Sequence, residues 1–247
     1  MPKNILSNNS KMNVPSYGVH TNNCNVGTGL NDNPNSICYY KNCYAKNGTF
    51  RFRSVRLKML SNMEFLNSPE FVDTLTYEIK KTRCAYFRWF DSGDVNSFEQ
   101  AVKVSTVCMN TPDVKHWIPT KETKYFRNAE KYMRTVLNYD YHNAVVRYSS
   151  HLIDAAPSKL EGIVNTSTVY THFDSPGLTR GANDYICRVY DLDEDTGKRG
   201  KSCGTCDACW NPSVSNISYI KRSPHHHMSW KKNYDKITKR LDMEVTQ

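Results

Sequence analysis

The sequence contains no apolar run of the roughly 20 residues that a membrane-spanning helix requires. Its first residues, MPKNILSNNSKMN, also lack the apolar segment of a secretory signal peptide. We therefore expect a cytoplasmic protein with no membrane partner. In that reducing compartment, the nine cysteines favour metal ligation over disulfides.

Internal repeats and low-complexity tracts are also absent, apart from an Asn-rich stretch over residues 22–35. The 247 residues, 38% hydrophobic and 23% charged, have the composition of a globular protein. The net charge is +9, but Lys and Arg are spread along the chain. Solvated helix faces therefore explain the charge better than a dedicated nucleic-acid groove.

Hydrophobic periodicity beyond residue 50 predicts alternating helices and strands. Helix starts are predicted at Ser68-Pro69-Glu70 and at Ser97, where Gln100 completes a capping box, and a further helix over about 124–137. Strands are predicted at Ala85–Phe90, Val114–Pro119, Ala144–Tyr148 and Ser167–Thr171. This order predicts an α/β fold, with a mostly parallel sheet or partial barrel covered by helices.

The chain divides by composition into three parts of one integrated domain. Residues 1–50 form a loop-rich, cysteine-bearing segment packed on the core. Residues 51–180 form the α/β core. Residues 181–247 form a second loop-rich, cysteine-bearing segment followed by a terminal helix.

Polar groups follow several predicted strands, and in parallel α/β proteins the ligand site lies beyond the carboxyl ends of the strands. Asp91-Ser92-Gly93-Asp94 follows one strand, and Lys121 follows the next. We predict Asp91, Asp94 and Lys121 as candidate catalytic residues, with Lys121 as an ion-pair partner for the carboxylates. For Asp94 the structural alternative, capping of the following helix, is the favoured interpretation.

The strongest metal signal is Cys203-x2-Cys206-x2-Cys209, with Cys187 upstream as a fourth ligand. Three thiolates at two-residue intervals can reach different corners of one [4Fe–4S] cluster while the fourth comes from another segment. Zinc is the alternative, because four thiolates also suit that ion. Zinc ribbons usually supply two separate C-x2-C pairs, so the pattern favours the cluster.

A second cysteine group comprises Cys24, Cys38 and Cys43. Three thiolates could bind a second cluster and leave one iron open for a substrate or cofactor. The alternative is that some of these residues are buried small hydrophobes. The same structural interpretation, a buried core residue, is preferred for Cys84 and Cys108. The consecutive histidines His225-His226-His227 are interpreted as exposed loop residues.

Several motifs together resemble the gene-product-88-like family of bacteriophage proteins. They are the early LSNNSKM, Cys43-Tyr44-Ala45 with Lys46-Asn47-Gly48, FRWFDSGD of Phe87–Asp94, Asp113–Trp117 through Lys121, and Cys203-x2-Cys206-x2-Cys209-Trp210. The resemblance implies a phage-encoded cytoplasmic protein whose matching cysteines are cluster ligands.

The α/β pattern with two cysteine motifs is, by a further analogy, similar to radical-SAM enzymes that carry an auxiliary cluster. The spacing Cys38-x4-Cys43 departs from that superfamily's usual C-x3-C-x2-C. The leading hypothesis is an iron–sulfur protein with redox or radical chemistry on a small molecule. The alternative is a zinc- or cluster-stabilised, non-enzymatic module that binds nucleic acid or a host protein.

Overall fold

A computed structural model describes residues 4–9, 11–189 and 202–221. Within these ranges the chain forms eight strands: β1 (Ser7–Asn9), β2 (Val14–Tyr17), β3 (Tyr86–Trp89), β4 (Lys115–Thr120), β5 (Ala144–Ser149), β6 (Thr166–Tyr170), β7 (Asp184–Ile186) and β8 (Asn216–Ile220). The same ranges contain five α-helices: α1 (Asn25–Gly29), α2 (Arg53–Asn67), α3 (Phe71–Thr82), α4 (Phe98–Met109) and α5 (Thr123–Val136).

All eight strands join one sheet in the order β1-β2-β3-β4-β5-β6-β8-β7. Only β1 pairs antiparallel, with β2; every other pairing is parallel. From β2 to β6 the strands follow chain order, so successive crossovers step in the same direction along the sheet. Helices α1 to α3, α4 and α5 fill the first three of these connections, whereas the β5–β6 connection contains no helix. Crossovers of one hand that step in one direction place their helices on the same face. This confirms the predicted α/β class with a mostly parallel, helix-covered sheet.

The two faces of the sheet are packed differently because side chains alternate along each strand. Phe87, Trp89 and Ile118 face the helices and join their buried apolar residues in the main core. Trp117 and Ile217 point to the opposite face, where they pack with Trp210 of the cysteine loop, residues 202–214. A cysteine-bearing loop thus covers part of the face that the helices leave free.

The covering helices bury the stripes that the periodicity predicts. Phe71, Leu75 and Ile79 of α3 are fully buried. Helix α4 begins at the predicted N-cap, since the Ser97 hydroxyl accepts a hydrogen bond from the Gln100 amide at 3.2 Å. The Gln100 side-chain oxygen accepts from the Asn96 amide at 2.8 Å, so the turn is closed from both sides.

One predicted helix start is wrong. Ser68 does not cap α3 but follows the last residue of α2, and α3 begins at Phe71 with Glu70 as its N-cap residue. The Ser68 amide is already bonded to the Phe65 carbonyl, which makes this residue the end of one helix rather than the start of the next.

The four predicted strands are present as β3 to β6, whereas β1, β2, β7 and β8 were not predicted. No helix in the described ranges is long and apolar enough to cross a membrane. The proposed terminal helix and His225-His226-His227 lie outside the described residues. The three-part division of the chain stays a prediction.

Candidate metal centre

The four C-terminal cysteines come from two segments that meet on the helix-free face. Cys187 directly follows β7, and its amide donates to the Ser218 carbonyl of β8 at 2.9 Å. The other three lie on the cysteine loop, where the Cys203 amide bonds to the Lys11 carbonyl at 2.7 Å and the Cys206 amide to the Cys203 carbonyl at 2.9 Å. The β7–β8 pairing therefore carries Cys187 towards the loop.

The four thiols share one neighbourhood. Burial, together with the charges of Cys209, Cys203 and Cys206, raises the pKa of Cys187 to about 12. Burial also raises the pKa of Cys209 to about 11, while the nearby Arg147 and Arg88 oppose that rise. At neutral pH these two groups are thiols, so metal binding here would release protons.

Two tyrosine hydroxyls contact sulfur atoms of this group. The Cys206 thiol donates to the Tyr185 hydroxyl at 3.3 Å, and the Cys209 sulfur lies 3.4 Å from the Tyr219 hydroxyl. Tyr185 and Tyr219 stand on the paired strands β7 and β8. Were the sulfurs thiolates, both hydroxyls would be in place to donate to them.

A buried cation lies beneath the cysteine loop. Arg147 is fully buried on β5, and none of the ion pairs within the described ranges involves it. Its guanidinium instead donates only to backbone oxygens, those of Thr166, Ala208, Cys209, Asn211 and Val214, at 2.8 to 3.5 Å. A positive charge is thus fixed near the Cys209 sulfur, and no carboxylate among the described residues forms an ion pair with it.

Aromatic packing anchors the same loop. The Trp210 indole donates to the Phe87 carbonyl at 2.9 Å, and its ring lies 5.6 Å from that of Trp117 and 5.2 Å from that of Tyr86. Arg88 stacks on Trp117 at 4.9 Å, and within the described part of the chain its buried Nε has no hydrogen-bond partner. The loop is therefore held against the sheet by both apolar and polar contacts.

The N-terminal cysteines lie elsewhere, beyond the carboxyl end of β2. A Cβ added to Gly27 would stand 3.6 Å from the Cys24 sulfur and 3.7 Å from the Cys38 sulfur, so Gly27 lies between them. Burial, then the charges of Asp94, Cys38 and Cys43, raise the pKa of Cys24 well above its ordinary value. The structure thus brings these three cysteines together at the mouth of the sheet.

Asp94 is buried at this mouth and does not cap α4, contrary to the sequence-based expectation. Its carboxylate accepts from the Thr120 hydroxyl at 2.9 Å and from the Lys121 amide at 2.8 Å, which joins the ends of β3 and β4. Ser97 occupies the capping position with extended backbone, so Asp94 is free to turn towards β4. Burial raises the pKa of Asp94 to about 7.

Asp91 presents an unsatisfied oxygen. It is 8% exposed; one carboxylate oxygen accepts from the Ser16 hydroxyl at 3.0 Å, and the other, Oδ1, has no hydrogen-bond partner among the described residues. A Cβ on Gly18 would lie 1.9 Å from Oδ1, so only glycine fits beside this carboxylate. An unpaired buried carboxylate oxygen is costly, so this atom calls for a hydrogen-bond donor that the described residues do not supply.

The predicted ion pair of Lys121 is not formed. Within the described residues its ammonium has no carboxylate within 4.0 Å, and only its backbone amide contacts Asp94. The Lys121 charge instead lies near Cys38, where it opposes the rise in the thiol pKa caused by burial. The side chain is thus directed to the cysteine group rather than to the acidic turn.

The sequence patterns do not single out three further residues of this site, Arg147, Tyr185 and Tyr219. Arg147 lies within the apolar strand Ala-Val-Val-Arg-Tyr-Ser, where a buried charge is unusual enough to have marked it. The two tyrosines gave no such signal because β7 and β8 were not recognised as strands. Cys108 is fully buried, as predicted, and Cys84 is partly exposed.

Metal binding stays a prediction. In the described part of the chain, no three His, Cys, Asp or Glu side chains are arranged to hold a metal ion. No curated protein and no solved structure matches the chain. A family model, described as gene product 88, matches residues 4–212. The match covers most of the chain, and the protein therefore belongs to the gene product 88 family.

Proposed function

We propose that this chain is an iron–sulfur protein that binds one [4Fe–4S] cluster through Cys187, Cys203, Cys206 and Cys209. The observation that supports the proposal most is that Cys187 lies near enough to the three cysteines of the loop for their charges to affect its thiol, while the same loop lies over the buried Arg147 guanidinium. A cluster ligated by four thiolates has a net negative charge, which an unpaired buried cation stabilises.

The surrounding groups also fit such a cluster. The Tyr185 and Tyr219 hydroxyls lie within 3.4 Å of sulfur atoms, and hydrogen bonds to sulfur tune cluster potentials. When bound, a fully thiolate-ligated cluster supplies electron transfer or structural support. Zinc is the competing metal because the same four thiolates suit it.

If the protein is an enzyme, we propose that its active site lies at the N-terminal cysteines. Three thiolates would leave one iron of a second cluster open, and the unsatisfied Asp91 Oδ1 lies at the same mouth of the sheet. In this form Asp91 would bind a hydrogen-bond donor of a small-molecule substrate, Asp94 would hold the β4 loop, and the Lys121 charge would favour the Cys38 thiolate. The chemistry would be of a redox or radical type.

Metal and sulfide analysis after anaerobic purification tests the proposal. Wild type is expected to be brown, with broad absorption near about 400 nm and acid-labile sulfide. Cys206→Ala should lose the iron of the C-terminal site, and Cys43→Ala should lose iron only if a second cluster binds. Cys84→Ala is the control and should retain as much iron as wild type, since Cys84 belongs to neither cysteine group. Colourless protein with stoichiometric zinc would refute the cluster.

The resemblance drawn from the motifs further suggests a phage-encoded protein that acts in the cytoplasm of the infected cell. A non-enzymatic role, in which the metal only stabilises the fold, remains the competing hypothesis. It predicts normal folding and partner binding whatever the redox state of the metal site.

A further inference from the structure

One segment of the chain is basic without any acidic residue. Residues 33–63 contain six Lys and Arg and no Asp or Glu. Five of the six are exposed: Lys41, Lys46, Arg51, Arg53 and Arg56. Within the described residues none of them forms an ion pair, because the pairs found there are Lys81–Glu78 and Arg134–Asp140. The segment therefore presents unneutralised positive charge to solvent.

Aromatic side chains are exposed in the same segment. Tyr40 is 47% exposed, Tyr44 54% and Phe52 63%. With Leu57 they make up four of the ten large apolar or aromatic side chains that are exposed in the described ranges. Such a concentration on so short a stretch is unusual for a surface that faces only water.

We call the exposed cations and rings of this stretch the basic–aromatic patch: Tyr40, Lys41, Tyr44, Lys46, Arg51, Phe52, Arg53 and Arg56. Asn31 links Tyr40 to Lys46. Its carbonyl accepts a hydrogen bond from the Tyr40 amide at 3.0 Å, and its side-chain oxygen accepts one from the Lys46 ammonium. The rings of Tyr44 and Phe50 lie 5.9 Å apart.

Two further contacts join the patch to the sheet. After burial, the charges of Arg56 and Lys46 lower the pKa of His20, so both cations lie near that residue. The His20 amide bonds to the Met59 carbonyl at 3.0 Å. Arg56 and Lys46 of the patch therefore lie near His20, three residues beyond the carboxyl end of β2.

We infer that the basic–aromatic patch binds single-stranded nucleic acid. Its cations would contact phosphates, and its exposed rings would stack on unpaired bases, the combination used by proteins that bind single strands. The inference does not depend on a metal, because no thiol belongs to the patch.

Duplex nucleic acid and anionic membranes fit the patch less well. Bases in a duplex are already stacked and cannot lie on Tyr44 or Phe52. A helix that lies on a membrane exposes a continuous apolar face, whereas α2 buries Met59, Phe65 and Leu66 in the protein. Single strands use both the charges and the rings.

Fluorescence anisotropy with labelled oligo-dT and oligo-U of about 20 nucleotides measures binding and tests whether the cations of the patch contribute to it. Because a single strand contributes about 0.7 to the salt slope per phosphate contact, Arg53→Gln/Arg56→Gln should lower that slope by about 1.4. Affinity at about 0.1 M salt should fall roughly 10- to 30-fold. The matched control is Lys124→Gln/Lys131→Gln on α5, which removes the same exposed charge elsewhere and should bind like wild type.

Phe52→Ala tests whether an exposed ring of the patch stacks on a base. It should weaken binding roughly 5- to 150-fold and leave the salt slope unchanged. Tyr77→Ala, which truncates a ring on α3 that is 64% exposed, is its control and should have no effect. Thermal unfolding checks that every variant is folded. No binding, equal losses in a variant and its control, tighter binding to a duplex of the same sequence, or binding only to phosphatidylserine vesicles would each overturn the inference. The metal analysis above is unaffected by any of these outcomes.

Discussion

Two carboxylates three residues apart, Asp91 and Asp94, have different surroundings. Asp94 accepts hydrogen bonds from Thr120, from the Lys121 amide and from the Val95 amide. Asp91 keeps one oxygen without a partner. The satisfied Asp94 carboxylate holds two strand ends in place, whereas the buried Asp91 oxygen keeps an unmet hydrogen-bonding capacity.

His116 shows a third kind of buried polar residue, one that is fully paired yet cannot be charged. Its Nδ1 accepts from the Trp89 indole at 3.2 Å, which leaves its Nε2–H to donate to the Thr111 hydroxyl at 2.8 Å. Burial lowers the pKa of His116 to about 3. The folded protein therefore excludes the proton that the unfolded chain binds below its ordinary pKa of about 6.5.

This difference in pKa predicts a loss of stability in acid. The contribution of neutral His116 is fully present above about pH 6.5 and declines as the pH falls towards 3. Between pH 7 and 5 it amounts to about 2 kcal/mol of unfolding free energy. Urea unfolding of His116→Gln should thus show a pH dependence smaller than that of wild type by this amount. Parallel curves for the two proteins would contradict the assignment.

Among the elements, the cysteine loop is the one whose position depends most on a single side chain. Arg147 donates to four carbonyls of residues 208–214 and to that of Thr166. If Arg147 is replaced by Met, these buried oxygens lose their donors. Leaving buried polar groups unpaired is costly, and breaking such a network typically destabilises a protein by several kcal/mol.

We predict that Arg147→Met lowers the unfolding free energy by about 3 to 5 kcal/mol, with amide exchange increasing first in the cysteine loop. The control is Arg134→Met, which breaks an exposed pair with Asp140 and should change stability by less than about 1 kcal/mol. Denaturant unfolding and hydrogen exchange measure both effects. A small effect at Arg147, or one spread evenly over the sheet, would show that the loop is held by its aromatic contacts instead.

The helices and strands differ in how well their sequences predict them. Helix α4 and strands β3 to β6 were predictable because their apolar periodicity is local and the Ser97 cap is marked by Gln100. Strand β2 was not, since VPSY is only four residues long and contains Pro15. Without β7 and β8, the tyrosines beside Cys206 and Cys209 could not be anticipated, although the cysteines themselves could.

For the whole molecule, the arrangement of the strands separates the two cysteine groups. Helices cover one face, so the C-terminal group occupies the other, while Cys24, Cys38 and Cys43 lie at the mouth beside the basic–aromatic patch. A fully ligated cluster on the helix-free face and an open site at the mouth would thus have different surroundings. Because the two cysteine groups lie apart, the cysteines of one group can be substituted without touching those of the other.

The central claim is that the C-terminal cysteines bind a cluster by themselves. Its most direct test is iron and sulfide quantification on anaerobically purified Cys24→Ser/Cys38→Ser/Cys43→Ser protein, which retains only the C-terminal group and the cysteines at 84 and 108. We predict about four iron and four sulfide per chain, as in one [4Fe–4S] cluster. Colourless protein that contains zinc, or no metal, would contradict the claim.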